Sequence, residues 1–251
     1  MFPIRDHNPS GTTPWVTWAL IALNVAIFLS YWPLLGDERA ITLFFRDWAM
    51  IPARVTQLGD FTGVFTSMFL HGGLMHLAGN MLFLWIFGDN LEDRMGHLPF
   101  LGFYLASGVA AGVTHIIGGP ASMVPTVGAS GAIAGVMGGY LLLFPKARVD
   151  VLLIFIVFVR IITIPAALVL ALWFAFQVIA GLGSNPDMGG VAYWAHAGGF
   201  VAGLILAVPV FLRLGGPKFW KLHGGVPPSP EGQYTLRRTP IPKVRRRRRR
   251  H

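Results

Sequence analysis

The stretch Gly128-Ala129-Ser130-Gly131 opens an apolar run that continues to Gly139. A lone serine in an apolar helix usually bonds its own backbone. Ser130, however, is predicted to lie in the first helical turn, where amide groups lack intrahelical partners and the helix dipole favours negative charge. The stretch is not the Gly-x-Ser-x-Gly elbow of soluble hydrolases, because Ala132 replaces its second glycine. Ser130 is therefore a candidate nucleophile only if a base reaches it.

The composition is typical of a protein that crosses a membrane several times. Of the 251 residues, 54% are hydrophobic and only 12% are charged. The mean hydropathy of +0.59 fits poorly with a soluble domain. Cysteine is absent, which excludes disulfides and thiolate chemistry. We expect a multi-pass integral membrane protein, with a bacterial inner (cell) membrane as the default location.

The positive charge is concentrated in the C-terminal region. Residues 215–251 carry eleven Lys/Arg and one acidic residue, whereas residues 1–214 carry nine basic and ten acidic residues. We predict a cytoplasmic tail over 1–14, a membrane domain over 15–214 and a disordered basic cytoplasmic tail over 215–251. The arginine run at 245–250 is expected to contact anionic lipids. Nucleic-acid binding is disfavoured because no aromatic residues interleave these arginines.

Six apolar segments are candidates for membrane-spanning helices. They are 15–32, 73–88, 97–117, 129–144, 164–181 and 193–214. The stretch 151–159 is predicted to lie along the membrane surface, and the loop 33–71 to hold an interfacial segment. Without the C-terminal tail, the basic residues divide six to three in favour of N-in, C-in. The predicted fold class is therefore an all-α membrane protein with six spans and both termini in the cytoplasm.

Polar side chains in three of these helices fall at similar depths. Asn80 lies roughly 12 Å into the second helix, and His196 lies roughly 10 Å into the sixth. The fourth helix is only ~22 Å long, so Ser130 at its beginning is sunk below the outer surface. His76 and Asn80 are four residues apart and share one helix face. Because ionisable groups at such depth are costly, we interpret these residues as functional.

With these residues the sequence resembles the rhomboid intramembrane serine proteases. The matching motifs, in the family's order, are His71 through His76 to Asn80, then Gly128 to Gly131, then Ala195-His196 with Gly199 and Gly203. The resemblance covers residues 15–214 and implies a six-helix bundle that hydrolyses peptide bonds within the bilayer. It implies that Ser130 is the nucleophile and His196 the general base. It also implies that His76 and Asn80 lie near the oxyanion.

The resemblance further implies a dyad without an acidic third member. No Asp or Glu occurs between Asp93 and Asp150, so His196 lacks the carboxylate that orients the base of a triad. Some family members stack a tyrosine on the histidine, four residues after the serine, but this sequence has Ala134. Some carry a Trp-Arg pair in the first loop, where this sequence has Thr62-Gly63. The orientation of His196 is left open.

Other interpretations of the polar residues remain open. A catalytically inactive rhomboid-like protein would bind membrane clients, and a channel or transporter would line a path with these groups. The intact serine–histidine pair disfavours the first, and the lack of intramembrane carboxylates disfavours proton-coupled transport. We expect no cofactor, since a zinc site from His71, His76 and His196 is weakly supported by its spacing. His71 and His115 are expected to be structural.

The expected partners are single-pass membrane proteins whose spanning segments are the substrates. By resemblance, the fifth helix and the loop 183–190 form the gate and cap of the site, with Met188 as a candidate lid side chain. A water-requiring reaction needs an aqueous cavity that opens to the outer side.

Overall fold

The computed structural model describes residues 2–155 and 158–223, and most of them are helical. The helices are α1 (Trp15–Tyr31), α2 (Glu38–Trp48), α3 (Pro52–Leu58), α4 (Thr62–Thr66), α5 (Leu74–Met95), α6 (His97–Gly118), α7 (Ser130–Leu143), α8 (Ala166–Leu182), α9 (Tyr193–Arg213) and α10 (Pro217–His223). Two 3-10 turns, Trp32–Gly36 and Ser67–Phe69, follow α1 and α4. The long helices α1, α5, α6, α7, α8 and α9 correspond to the six predicted segments.

Five of these six helices begin and end within two residues of their predicted bounds, but α5 runs seven residues further than expected. The reason is the carboxylate of Glu92 in its last turns. This carboxylate accepts hydrogen bonds from the amides of Val16 and Thr17, both at 2.8 Å. Because the first amides of a helix have no intrahelical acceptor, Glu92 satisfies the beginning of α1. The charged end of α5 is thus part of the bundle.

Three helical segments among the described residues are long and apolar enough to cross a membrane. They are Trp15–Gly36, His97–Gly118 and Tyr193–Arg213. Thr62–Phe69 and Leu74–Met95, bent by 86° relative to each other, make a fourth if the pair counts as one span. The helices α7 and α8 are apolar but shorter. The six-span count and the N-in, C-in orientation therefore stay predictions.

A three-stranded antiparallel sheet corrects the all-α prediction. Its strands are β1 (Phe2–Asp6), β2 (Arg148–Phe155) and β3 (Phe158–Pro165), in the order β1-β2-β3. The described part of 151–159, predicted to lie along the membrane surface, belongs to the β2–β3 hairpin. Val149 and Val151 are buried in the core on either side of Asp150. Polar and apolar residues alternate over Arg148 to Val151, and this alternation together with the β-branched valines favours a strand.

The first residues of the chain, predicted to be a tail, pack against the end of the bundle farthest from Ser130. β1 pairs with β2, and the Asn8 side chain is only 3% exposed. The Tyr140 hydroxyl, in the last turns of α7, donates to the Asp6 carboxylate at 2.7 Å. The N-terminal segment is therefore anchored to α7.

The C-terminal region departs from its prediction at one point. Within 215–251, predicted to be disordered, Pro217–His223 forms α10, and Trp220 Nε1 donates to the Leu142 carbonyl at 3.1 Å. The remainder, including the arginine run at 245–250, lies outside the described residues.

Asp6 makes the stability of the fold pH-dependent. Burial raises the pKa of its carboxyl to about 7, and nearby Asp89 adds to this, while the Tyr140 hydrogen bond opposes it. The unfolded chain releases this proton near pH ~4, so the folded state holds the extra proton between about pH 4 and 7. Stability from this group therefore falls as the pH rises through that window. We expect Asp6→Asn, which keeps an acceptor for Tyr140, to flatten the dependence.

Thermal unfolding in detergent between pH 4 and 8 measures this effect. The difference in Tm between Asp6→Asn and the wild type should widen in favour of the variant as the pH rises. A difference that stays constant over the whole range would contradict the assignment.

Candidate active site

Glycines bring α7 and α9 into backbone contact, and this contact positions the site. A Cβ added at Gly199 would lie 2.0 Å from the Gly131 carbonyl oxygen, and one at Gly203 would lie 2.0 Å from the Gly135 carbonyl oxygen. In the other direction, a Cβ at Gly138 would lie 2.1 Å from the Phe200 carbonyl oxygen. No side chain fits at these positions unless the helices move apart. Small residues permit such close packing between membrane helices.

This approach aligns the beginnings of α7 and α9, where Ser130 and His196 lie. Ser130 is the first residue of α7, and His196 is in the first turn of α9. His196 Nε2 lies 2.7 Å from Ser130 Oγ, within hydrogen-bond distance. The side chains of Ser130 and His196, predicted on separate helices, are therefore in contact. A hydroxyl beside an imidazole nitrogen is the arrangement of an activated nucleophile and its base.

Two further contacts of the His196 ring come from α8. Its Nδ1 lies 2.8 Å from Gln177 Oε1, and the Gln177 side chain is buried. The Trp173 ring lies 5.8 Å from the imidazole, centroid to centroid, with 32° between the planes. Sequence reasoning missed both residues. The sequence contained a signal for Gln177, because an amide side chain within the apolar helix α8 needs a hydrogen-bond partner.

Asn80 and His76 line the same cavity as the serine–histidine pair. This cavity has a volume of about 630 Å³, and Ser130, His196, His76 and Asn80 are among its lining residues. Asn80 is 8% exposed, and its Nδ2 has no hydrogen-bond partner in the part of the chain that the structure describes. Since an unpaired buried donor is costly, Asn80 is suited to a ligand atom in the cavity.

Gly128 leaves room between His76 and Ser130. Its φ of +138° is one that side-chain-bearing residues rarely adopt, and a Cβ there would lie 2.9 Å from His76 Nε2 and 3.3 Å from Ser130 Oγ. The Gly128 amide donates to the Ser67 carbonyl at 2.9 Å, which ties the loop to the segment before α5. The site thus depends on glycine at this position.

Of the two histidines expected to be structural, His115 is among the residues that line the cavity and His71 is not. The backbone of His71 is held at both its amide and its carbonyl by the Tyr31 hydroxyl, at 2.7 and 2.9 Å. His115 Nε2 lies 3.0 Å from Thr126 Oγ1. Among residues 2–155 and 158–223, no group of three or more His, Cys, Asp or Glu side chains could hold a metal ion.

The loop between α8 and α9 borders the cavity. Ser122 Oγ donates to the Pro186 carbonyl at 2.9 Å, which pins this loop to the segment before α7. Met188, the candidate lid residue, is 83% exposed and is among the residues that line the cavity.

The fold and the site define a class of protein. It is a membrane protein in which a serine and a histidine, on two closely packed helices, lie within hydrogen-bond distance of each other. The family profile described as the Rhomboid domain matches residues 58–213. The chain belongs to the rhomboid family, and it is an integral membrane protein.

The relatives of this chain come from several kinds of organism. It is 30% identical over 200 residues to Rhomboid protein 1, mitochondrial, of Saccharomyces cerevisiae, covering 76% of this chain and 51% of the yeast protein. It is 30% identical over 208 residues to Rhomboid protease GluP of Bacillus subtilis, covering 81% of this chain and 36% of GluP. It is 24% identical over 241 residues to RHOMBOID-like protein 5 of Arabidopsis thaliana, covering 84% and 74%.

Two facts limit what these relatives say about this chain. It spans about half the length of the yeast relative and about a third of GluP. The relatives also include mitochondrial and plant proteins, so the bacterial inner membrane stays a prediction.

The α7–α9 contact can be tested by adding one methyl group. We expect Gly203→Ala to lower the Tm in detergent, because its Cβ would overlap the Gly135 carbonyl and overpacking typically costs about 1–3 kcal/mol. Gly102→Ala in α6 is the matched control, because a Cβ there meets nothing within 4 Å. Equal Tm values for the two variants would contradict the close approach.

Proposed function

We propose that this protein is an intramembrane serine endopeptidase that hydrolyses peptide bonds in or near the transmembrane segments of single-pass membrane proteins. The observation that carries the proposal is the 2.7 Å distance between Ser130 Oγ and His196 Nε2. Membership of the rhomboid family supports it, as does similarity to a relative that is named a rhomboid protease.

Ser130 and His196 divide the chemistry as nucleophile and base. As Ser130 Oγ attacks the carbonyl carbon of the scissile bond, its proton passes to His196 Nε2. The imidazolium then gives this proton to the leaving amine, and an acyl-enzyme on Ser130 remains. Water attacks the acyl carbonyl and gives a proton to His196. The bond between the acyl carbon and Ser130 Oγ then breaks, the acid product leaves, and the imidazolium returns the proton to Oγ. This sequence of steps restores both side chains.

Three donors near Ser130 are suited to the negative charge that develops on the carbonyl oxygen. The Ser130 amide lies in the first turn of α7, where a helix has no acceptor for it. Asn80 Nδ2 lacks a partner among the described residues, and the His76 ring lies beside Gly128. Donors that are already oriented in a site with little water stabilise such charge strongly. Asn80 and His76 are proposed as oxyanion side chains on this ground.

The walls of the cavity support the proposed substrate class. Residues of α5, α6, α7, α8 and α9 line it, and they include apolar side chains such as Met75, Ile133 and Trp173. A spanning segment would have to unwind before cleavage, because its peptide groups are hydrogen-bonded to each other within the helix.

Labelling with a serine-directed fluorophosphonate in detergent tests the proposed nucleophile and base. We expect modification of the wild type and none of Ser130→Ala or His196→Ala, because only a hydroxyl beside a base is sufficiently nucleophilic. Ser30→Ala, which removes an exposed hydroxyl of α1, is the matched control and should label normally. An inactive client-binding protein or a channel would leave the wild type unmodified. Incubation with a panel of single-pass segments, followed by mass analysis, then locates the cut.

The role of Asn80 predicts a loss of catalytic rate. We expect Asn80→Ala to lower kcat by roughly 10²–10³, with little change in KM, because one oxyanion donor is worth about 3–4 kcal/mol in the barrier. Steady-state kinetics on a cleaved segment measure this, and an unchanged Tm shows that the variant is folded. A kcat close to that of the wild type would exclude Asn80 from the oxyanion site.

A further inference from the structure

His196 needs an orienting group because imidazole exists as two tautomers. Only the tautomer with a proton on Nδ1 leaves a lone pair on Nε2 for the Ser130 hydroxyl. In a triad a buried carboxylate selects this tautomer. Among the described residues that line the cavity there is no Asp or Glu. The orientation must therefore come from a neutral group.

The Gln177 amide is in the position that a triad gives to its carboxylate. Its Oε1 lies 2.8 Å from His196 Nδ1 on the side of the ring opposite Ser130. With Oε1 facing the ring, Nδ1–H donates and Nε2 is free to accept the proton of Ser130. Gln177 is one of only a few residues of α8 that are buried, so its side chain is confined by packing. Confinement keeps the Gln177 amide beside the imidazole.

Trp173 supplies the second orienting contact from the same helix. It lies four residues before Gln177, so the two side chains share one face of α8. Its ring packs at 5.8 Å against the imidazole, where some family members use a tyrosine on the helix that carries the serine. That position is Ala134 here and has no ring to stack. The Gln177 and Trp173 contacts therefore both come from α8, whereas α7 contacts the imidazole through Ser130 Oγ.

The helix α8 is attached to the bundle by a narrow buried stripe. Its buried residues are Ala166, Leu170, Gln177 and Gly181. Several of its other side chains are at least half exposed, for example Leu172 at 56% and Ile179 at 71%. Elements with few buried contacts open at low free energy. A displacement of α8 would withdraw Gln177 and Trp173 together.

We propose that Gln177, supported by Trp173, is the positioning residue that sets the His196 tautomer, so that the serine–histidine pair is competent only while α8 is packed against α9. This inference rests on the proposed function and adds a regulation to it. When α8 moves away from α9, His196 loses its contacts with Gln177 and Trp173, and when α8 packs again the contacts return.

Gln177→Leu and Gln177→Glu test the positioning role. We expect Gln177→Leu to lower kcat by about 100-fold at unchanged KM, since small losses of alignment have effects of this size. Gln177→Glu should restore most of the rate, because a carboxylate also accepts from Nδ1–H. Leu172→Ala, on the exposed side of α8, is the matched control and should behave as the wild type.

A spectroscopic measurement separates positioning from a structural role. In ¹⁵N-histidine-labelled protein, with the His196 signal assigned by its loss in His196→Ala, the wild type and Gln177→Glu should show the proton on Nδ1. Gln177→Leu should lose that preference. A wild-type kcat and tautomer in Gln177→Leu would overturn this inference alone, provided that Ser130→Ala is inactive. Full turnover by Ser130→Ala would overturn the proposed function and this inference with it.

The dependence on α8 can be tested with a reversible tether. A Cβ added at Gly181 lies 3.3 Å from Tyr193 Cβ, close to the separation of a disulfide, and the chain has no native cysteine. We expect oxidised Gly181→Cys/Tyr193→Cys to react with the fluorophosphonate at least as fast as the reduced form, since α8 is then held in place. Slower labelling of the oxidised form would contradict the coupling.

Discussion

The contact between the backbones of α7 and α9 is the constraint on which the rest of the structure depends. Gly199 and Gly203 leave no space for a Cβ against the carbonyls of α7. In a bilayer, close packing replaces the hydrophobic effect as the force that holds helices together. Because the contact extends to the beginnings of both helices, it also determines the separation of Ser130 and His196. The packing and the chemistry of the site therefore have the same origin.

The helices on the two sides of His196, α7 and α8, differ in how tightly they are packed. On one side, α7 is buried along nearly its whole length and is anchored at its far end by Asp6. On the other side, α8 exposes much of its surface and holds the base through Gln177 and Trp173. The proposed nucleophile, Ser130, thus belongs to the tightly packed part of the fold, whereas the orientation of the proposed base, His196, depends on a helix with few buried residues. This arrangement suits a reaction in which a bulky substrate must enter from the membrane.

The sequence predicted most bounds of the long helices well, because apolar runs are local signals, and the four polar residues expected to lie together do line one cavity. It failed where the deciding interaction was between distant residues. The length of α5 depends on Glu92 and the amides of α1. The third strand of the sheet, β1, depends on its pairing with β2, which lies about 145 residues away along the chain. The partner of Gln177 could not be known until the orientation of α8 on α9 was known.

The proposed arrangement of nucleophile, base and oxyanion donors is tested most directly by an experimental structure of the protein after reaction with a fluorophosphonate. We expect phosphorus bonded to Ser130 Oγ, His196 Nε2 still near that oxygen, and the phosphoryl oxygen about 2.7–3.1 Å from Asn80 Nδ2. A phosphonyl group on another side chain would contradict the account. A phosphoryl oxygen on Ser130 that points away from both Asn80 and the Ser130 amide would contradict it as well.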